Sequence, residues 1–161
     1  MILKPDRGLR SDMDIADFLT PDRVVLDVKL RDKAQFINET ARLFGKLLPA
    51  VQPASVEEAL SARERLGSTG LGAGFALPHA RVEGLDTYAG LLLRLAKPIG
   101  FDAIDGKPID LAFVLLIPSE PGTAHVAALA AISRKFRDAA LVAKLRKADT
   151  PAAVYALLTA V

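Results

Sequence analysis

The most informative segment of the chain is "GSTGLGAGFALPHARVEGL", residues 67–85. Its first eight positions hold four glycines, and Pro78 then precedes His79, one of only two histidines in 161 residues. Glycine permits positive φ angles and close approach of the backbone, so such a loop can direct several N–H groups at an anion. The alternative interpretation is a loop that is rich in glycine only because the chain turns there.

Known glycine motifs do not match this segment. A Walker motif ends in Gly-Lys-Ser/Thr, and the segment contains no lysine. The dinucleotide fingerprint fails because Phe75 stands where its last glycine should be. A hydrolase that pairs Ser68 with His79 lacks the G-x-S-x-G elbow, since Ser68 directly follows Gly67.

The composition indicates one folded domain with an ordinary charge balance. Hydrophobic residues make up 51% of the chain, which suffices for a sizeable core. The 21 basic and 19 acidic residues leave a net charge of +2, without the basic clusters of a nucleic-acid-binding protein. The absence of cysteine excludes disulfides, thiolate zinc sites and a thiol nucleophile.

Targeting segments are not expected. The longest strongly apolar run, residues 111–117, is too short to cross a bilayer. The N-terminal residues lack the apolar core of a signal peptide. We therefore expect a cytoplasmic protein without membrane insertion.

Helical and strand patterns alternate along the chain, which predicts a single α/β domain. Residues 1–12 are expected to form a flexible lead-in, and residues 13–161 the domain. Strands are predicted at 23–28, 88–95 and 109–117, the last buried on both faces. Turn signals, including Pro98, fill residues 97–108 between the last two strands. Five helices are predicted. They run from Asp32 to Pro49, from a Ser55–Glu58 capping box to about Leu66, within 121–138, after Asp138, and from Thr150-Pro151 onward.

The two histidines are the candidate reactive groups. An unperturbed imidazole is mostly neutral at pH 7 and can therefore act as a nucleophile, for example toward a phosphoryl group. His125 lies in the first turn of a predicted helix, where a neutral ring can donate a hydrogen bond to an anion. Arg63 and Arg65 precede the glycine-rich loop, and a guanidinium suits phosphoryl oxygens. Each of these residues also has a purely structural alternative: a half-buried histidine for His79, or a side chain near a helix end for the others.

A metal site is not favoured by the sequence. The two histidines are far apart in the chain, so carboxylates would have to complete any site. Asp102, Asp105 and Asp110 lie in a turn-rich segment, where aspartate has a turn role of its own.

Three segments together resemble a known family. The segment "ARERLGSTGLGAGFALPHARVEGL" (62–85) resembles the signature of type-2 enzyme IIA domains of the bacterial phosphoenolpyruvate-dependent phosphotransferase system (PTS). More narrowly, it resembles the nitrogen-regulatory branch, as do "FDAIDGKPIDLAFVLLIP" (101–118) and "HVAALAAISRKFRD" (125–138). The resemblance covers about residues 14–160 and implies a mixed β-sheet flanked by helices.

The resemblance also implies roles for individual residues. His79 would be the phosphorylated residue, His125 the second active-site histidine, and Arg63, rather than Arg65, the active-site arginine. Candidates for holding the phosphoryl group are Thr69, Ser68 and Gly70. One departure is Ala80, since the family usually has glycine directly after the phosphorylated histidine. If that position needs a positive φ, alanine is strained by about 1 kcal/mol.

The function that the resemblance implies is a regulatory phosphocarrier without a cofactor. It would accept a phosphoryl group from a histidine phosphocarrier protein of the nitrogen-related branch and modulate partners such as transporters or sensor kinases. We expect no permease domain after Val161, which favours regulation over sugar uptake. A free-standing fructose- or mannitol-type IIA component and a non-phosphorylated binding module remain alternatives.

Overall fold

The computed structural model describes residues 13–120 and 122–160, so the predicted lead-in, residues 1–12, lies outside the described residues. Two short 3₁₀ turns, Ile15–Asp17 and Pro21–Arg23, come before the first strand. The strands are β1 (Val24–Val28), β2 (Gly70–Gly72), β3 (Phe75–Ala76), β4 (His79–Val82), β5 (Ala89–Ile99) and β6 (Ile109–Pro118). The helices are α1 (Lys33–Leu47), α2 (Pro53–Arg65), α3 (Ala124–Phe136), α4 (Ala139–Lys147) and α5 (Pro151–Thr159).

These strands form one mixed sheet. Its order is β1-β5-β6-β3-β2, and β4 also pairs with β6. β1 is parallel to β5, and both β3 and β4 are parallel to β6, whereas the β5–β6 and β2–β3 pairs are antiparallel. Phe75 pairs with Leu111 and His79 with Leu115, so β3 and β4 follow each other along the same side of β6. The predicted α/β domain with a mixed sheet is confirmed.

Helices cover both faces of this sheet. Val114 and Leu116 of β6 pack in the cluster beneath α1 and α2. Phe113 and Leu115, which point the opposite way, pack in the cluster beneath α3, α4 and α5. β6 is consequently buried along nearly its whole length, as its continuous apolar sequence predicts. None of the helices in the described ranges reaches the length and apolarity that crossing a bilayer requires.

Three predicted helix starts are confirmed by hydrogen bonds from the first turn of the helix. The side chain of Asp32 accepts such a bond at α1, that of Asp138 at α4, and that of Thr150 at α5. A cap of this kind stabilises a helix by about 1 kcal/mol. The start of α2 was predicted wrongly, because Pro53 rather than the Ser55–Glu58 pair opens the helix. Proline has its φ preset for the first helical position, and it needs no hydrogen bond there.

Strand β5 is longer than its sequence pattern predicts. It continues through Pro98 to Ile99, where a turn was expected. The register between β5 and β6 shifts between Arg94 and Ile99, so Pro98 falls in an irregular part of the ladder. A proline, which has no N–H to donate, is tolerated at such a place.

The glycine-rich segment is not one loop, because it contains the three short strands β2, β3 and β4. We call β2, β3 and their connection, residues 70–76, the glycine hairpin. The chain reverses through Gly72, Ala73 and Gly74, all with positive φ (103°, 55° and 79°). Glycine adopts such angles without steric cost, so these glycines serve the turn directly.

Candidate functional site

Strand β4 sets the direction of the first candidate residue. Ala80 and Val82 are buried in the cluster beneath α1 and α2. Successive side chains of a strand point to opposite faces, so His79 and Arg81 point toward the α3 side of the sheet. The strand pairs with β6 alone among the described strands, which leaves its outer side open.

The imidazole of His79 has a defined proton position. Its Nδ1 lies 2.9 Å from the carbonyl oxygen of Leu77. A carbonyl can only accept, so Nδ1 carries the proton of the neutral ring and Nε2 keeps a lone pair. Leu77 is itself fixed, because its N–H donates to the Thr69 carbonyl at 2.9 Å. The backbone thereby aligns the ring with Nε2 as the nucleophilic atom.

The half-buried position of His79 favours its neutral form. Burial lowers the pKa of the imidazole below its ordinary value of 6.5. The contact with the Leu77 carbonyl opposes this shift, and the positive charge of Arg63 lowers the pKa further. The lowered pKa keeps the ring neutral at pH 7, and the neutral imidazole is the form that can attack an electrophile.

Arg63 reaches the same place from the last turn of α2. One of its guanidinium nitrogens, Nη1, donates to the carbonyl of Gly67 at 2.9 Å. Gly67 directly follows the C-cap residue Leu66 with a φ of 151°, an angle that glycine adopts without steric cost. Arg65 is exposed and does not line the cavity that Arg63 shares with His79. The structure therefore brings the first of the two candidate arginines to the histidine.

His125 enters the site from the first turn of α3, as the sequence predicts. The helix begins at Ala124 after Thr123 as N-cap, so His125 is its second residue. The ring is half-buried, and its Nδ1 lies 3.5 Å from Nη2 of Arg81. Two histidines that are far apart in the sequence thus meet on one face of the sheet.

These four side chains line one open cavity of about 360 Å³. Arg63, His79, Arg81 and His125 supply its polar groups, and Val126 is among its apolar lining residues. Two guanidinium groups and two imidazoles give the cavity positive charge and many N–H donors but few acceptors. Such a lining favours an anion with several oxygens, and the lone pair on Nε2 of His79 can form a bond to its central atom.

Ser68, Thr69 and Gly70 do not line this cavity. The N–H and the hydroxyl of Thr69 both donate to the carboxylate of Glu64. The Ser68 hydroxyl donates to the Phe101 carbonyl at 2.6 Å and accepts from the Gly70 N–H at 3.0 Å. The donors that the sequence assigns to a phosphoryl group are engaged in holding the loop. Their phosphoryl-binding role stays a prediction, and it would require these bonds to exchange.

Ala80 is not strained by the loss of the family's glycine. It lies within β4, paired with Leu116. Among the described residues, the non-glycine positions with positive φ are Asp27, Ala73 and Asp102. Alanine therefore fits this backbone, and the strain considered from the sequence does not arise.

Two charged residues at the site were missed by sequence reasoning. Arg81 was given no role, although a spacing of two from His79 places both side chains on one face if the segment is a strand. Glu64 carries a nearly buried carboxylate, which binds Lys33 at 2.9 Å as well as Thr69. No pattern in the sequence distinguishes this glutamate from a solvated helix residue.

Known proteins share both the sequence and the fold of this chain. The family model described as "Phosphoenolpyruvate-dependent sugar phosphotransferase system, EIIA 2" matches residues 17–161. The chain is 38% identical over 146 residues to a nitrogen regulatory protein of Bradyrhizobium diazoefficiens, covering 91% of this chain and 95% of that protein. It is 37% identical over 144 residues to one of Pseudomonas aeruginosa, covering 89% and 94%.

A solved structure agrees with these sequence matches. The crystal structure of the nitrogen regulatory protein IIA-Ntr from Neisseria meningitidis has a TM-score of 0.84 and 36% identity, covering 90% of this chain and 99% of that chain. These similarities confirm the resemblance to the nitrogen-regulatory branch. By its sequence and its fold, the chain belongs to the EIIA type-2 family of the phosphotransferase system.

Proposed function

We propose that this protein is a regulatory phosphocarrier of the cytoplasm, which accepts a phosphoryl group on Nε2 of His79 from a histidine phosphocarrier protein. The observation that supports this most directly is the shared cavity. It combines a neutral imidazole with a free ring lone pair, a second imidazole and two guanidinium groups. The nitrogen regulatory relatives support a regulatory role over sugar uptake.

The transfer needs only groups that the site and the donor supply. The lone pair of Nε2 attacks the phosphorus of the donor's phosphohistidine, and an N–P bond forms. The N–P bond to the donor ring breaks, and its electron pair returns to the donor's nitrogen. Nδ1 of His79 keeps its proton and its bond to the Leu77 carbonyl throughout, which holds the ring in line.

Arg63 and His125 stabilise the phosphoryl oxygens during transfer by donating hydrogen bonds. The guanidinium of Arg63 has five N–H donors, and only its Nη1 is bound to the Gly67 carbonyl. Its remaining donors can bind two phosphoryl oxygens in parallel. His125 adds a donor at the N-terminus of α3, where negative charge is favoured.

The entrance of the cavity suits another protein rather than a small hydrophilic molecule. Val126, which lines the cavity, is 60% exposed. Leu66, directly before the Gly67 carbonyl that Arg63 binds, is 84% exposed. Exposed apolar side chains beside a site favour protein contacts. A phosphoryl group of about −2 charge changes this surface, which is how phosphorylation would modulate partners such as transporters or sensor kinases.

A reconstituted phosphorylation assay tests the proposal. The protein is incubated with phosphoenolpyruvate, enzyme I and the nitrogen-branch carrier, and the label is tested for acid lability and alkali stability. We expect such label in the wild type and none in His79→Gln, a variant whose amide cannot act as the nucleophile. Absence of label in the folded wild type would favour the non-phosphorylated binding module instead.

The two arginines of α2 provide a matched pair for the same assay. Arg63→Met is expected to lower the single-turnover rate by roughly 100- to 1,000-fold, the loss typical of one transition-state donor. Arg65→Met removes the same charge from an exposed position outside the cavity, and we expect less than a threefold change from so distant a charge. Equal losses in both variants would contradict the assignment of Arg63.

A further inference from the structure

Arg81 connects the strand of the first histidine to the segment that leads to the second. Its Nη1 donates to the carbonyls of Pro118 and Glu120, at 3.2 and 3.1 Å. Its Nη2 donates to the carbonyl of Gly122 at 3.2 Å. Pro118 ends β6, and Glu120 and Gly122 lie between it and the start of α3. One side chain of β4 therefore holds the segment from which α3 begins.

The same guanidinium contacts the ring of His125. Nη2 of Arg81 lies 3.5 Å from Nδ1 of this imidazole. An arginine can only donate, so the Nδ1 of a neutral ring facing it must accept. The proton of the ring then resides on Nε2, which becomes its donor. Arg81 thereby selects which of two tautomers the second histidine adopts.

The groups around this contact leave Arg81 as the side chain that fixes the ring. Tyr88 lies close enough to interact with Arg81 and with the backbone of His125. Burial raises the pKa of the Tyr88 phenol, so this group is neutral near pH 7 and brings no charge to the cluster. The His79 ring, on the other side of the cavity, has its own Nδ1 bound to the Leu77 carbonyl.

We propose that Arg81 is a positioning residue, which anchors the N-terminus of α3 and holds His125 as the Nε2–H tautomer, with that N–H available to the phosphoryl oxygens. This inference rests on the proposed function for its catalytic consequence, but the tautomer itself does not. The two histidines then have opposite tautomers. His79 carries its proton on Nδ1 and attacks through Nε2, whereas His125 carries its proton on Nε2 and donates it as a hydrogen bond.

The geometry requires an arginine rather than any cation. A planar guanidinium presents donors on two nitrogens, which here serve three carbonyls and one ring nitrogen. A lysine ammonium has three donors on a single atom and cannot span the same set. Arg81→Lys therefore tests the fork-shaped geometry separately from the positive charge.

Nitrogen-15 NMR of the imidazoles tests the tautomer directly. In the wild type, at a pH where both rings are neutral, we expect His125 to be protonated on Nε2 and His79 on Nδ1. In Arg81→Met and in Arg81→Lys, we expect the His125 signals to move toward a mixture of tautomers, while those of His79 stay in place. Arg137→Met, at the far end of α3, removes an exposed arginine from the same helix and is expected to leave both rings unchanged.

Single-turnover phosphorylation of the same variants tests the consequence. We expect Arg81→Met to accept phosphoryl about 10-fold more slowly, since a misplaced donor loses part of the 100- to 1,000-fold that a full donor contributes. Carrier concentration should be saturating, so that the change is in the rate of transfer and not in docking.

The outcomes separate this inference from the proposed function. A His125 ring protonated on Nδ1 in the wild type, or an unchanged Nε2–H tautomer in Arg81→Met, would overturn the role of Arg81, even if phosphorylation proceeds normally. The His125 tautomer could instead depend on Arg81 while the wild type accepts no phosphoryl group. That result would support the positioning role of Arg81 and would contradict only the proposed phosphocarrier function.

Discussion

The glycine hairpin and strand β4 are adjacent in sequence, yet their polar groups are used in opposite ways. At the hairpin turn, the Ala73 N–H donates to Asp105 at 3.0 Å and the Ala73 carbonyl accepts from Arg146 at 2.8 Å. Its polar groups are thus bound by the surrounding protein. In β4, His79 lines an open cavity with its Nε2 lone pair available, and Arg81 beside it binds the segment before α3. The proposed chemistry thus rests on side chains outside the glycine turn, while the conspicuous glycines shape the turn itself.

This difference teaches that a glycine-rich loop near a histidine need not bind the anion itself. Thr69 and Leu77 flank the hairpin, and the Leu77 N–H donates to the Thr69 carbonyl across its base. The Leu77 carbonyl in turn fixes the ring of His79. The contribution of the hairpin to the site is therefore one of alignment. The predictions below test whether the residues around the glycine hairpin only align His79 or also bind the phosphoryl group.

The largest effect is expected from Gly74→Ala, which changes the hairpin alone. Gly74 has a φ of 79°, and a Cβ there would lie 2.5 Å from Nη2 of Arg146 and 2.8 Å from Oδ1 of Asp110. We expect the free energy of unfolding to fall by about 2–4 kcal/mol, because backbone strain and the displaced ion pair add together. Urea denaturation measures this loss.

A second glycine provides the control for backbone strain. Gly106 has a φ of 72°, but its Cβ position is in open space. Gly106→Ala should therefore cost only the left-handed conformation, about 1 kcal/mol. Equal losses of unfolding free energy in Gly74→Ala and Gly106→Ala would contradict this prediction. They would mean that the Arg146–Asp110 pair moves away from the new Cβ without cost and does not hold the hairpin.

A smaller effect is expected from Thr69→Val. This variant tests whether the Thr69 hydroxyl serves the structure or binds the phosphoryl group. The valine keeps the shape of Thr69 but removes the hydroxyl that binds Glu64. We expect the free energy of unfolding to fall by about 1–2 kcal/mol, because the Glu64 carboxylate loses one of its hydrogen-bond donors. The phosphorylation rate should change by less than about twofold, because the transition state loses no contact.

Thr69→Ser is the matched variant, since it keeps the hydroxyl and loses a methyl group. A folded Thr69→Val protein that accepts phosphoryl more than about 10-fold slower, with normal transfer in Thr69→Ser, would assign the hydroxyl to the phosphoryl group. The role predicted from the sequence would then be correct, and the bond to Glu64 would have to exchange during transfer.

The smallest effect is a pH dependence of stability from His79. Because burial lowers the pKa of this ring in the folded state, the unfolded chain binds the proton first as the pH falls below 6.5. Stability should therefore decrease from pH 6.5 toward the lower pKa of the folded state, and this slope should be shallower in His79→Gln. Unfolding curves at pH 7.5 and 5.5 for the two proteins measure the difference, and equal slopes would contradict the lowered pKa.

The sequence predicted the fold where its patterns are long. The apolar run of β6, the helix starts at Asp32 and Asp138, and the periodic helices were recognisable because burial and helix initiation act locally. Strands β2, β3 and β4 were missed because two to four residues show no periodicity. β3 and β4 form because β6 offers them a partner, and β2 then pairs with β3, which is information from far along the chain.

The site was predicted unevenly for a similar reason. His79, His125 and Arg63 are rare or motif-bound residues, and the structure brings them together. The engagement of Thr69 by Glu64, and the several contacts of Arg81, depend on which side chains face each other in three dimensions. Single-sequence reasoning supplies residue types and spacing, but it does not supply such pairings.

The dependence of β4 on β6 also bears on the order in which the protein matures. His79 is synthesised well before Leu115, its neighbour in the sheet, and before the turn that Arg81 binds. Contacts so distant along the chain form late in folding, since a long loop must close first. Under the function proposed above, a nascent chain still emerging from the ribosome would carry His79 without its cavity, and phosphorylation of His79 would report that β6 has joined the sheet.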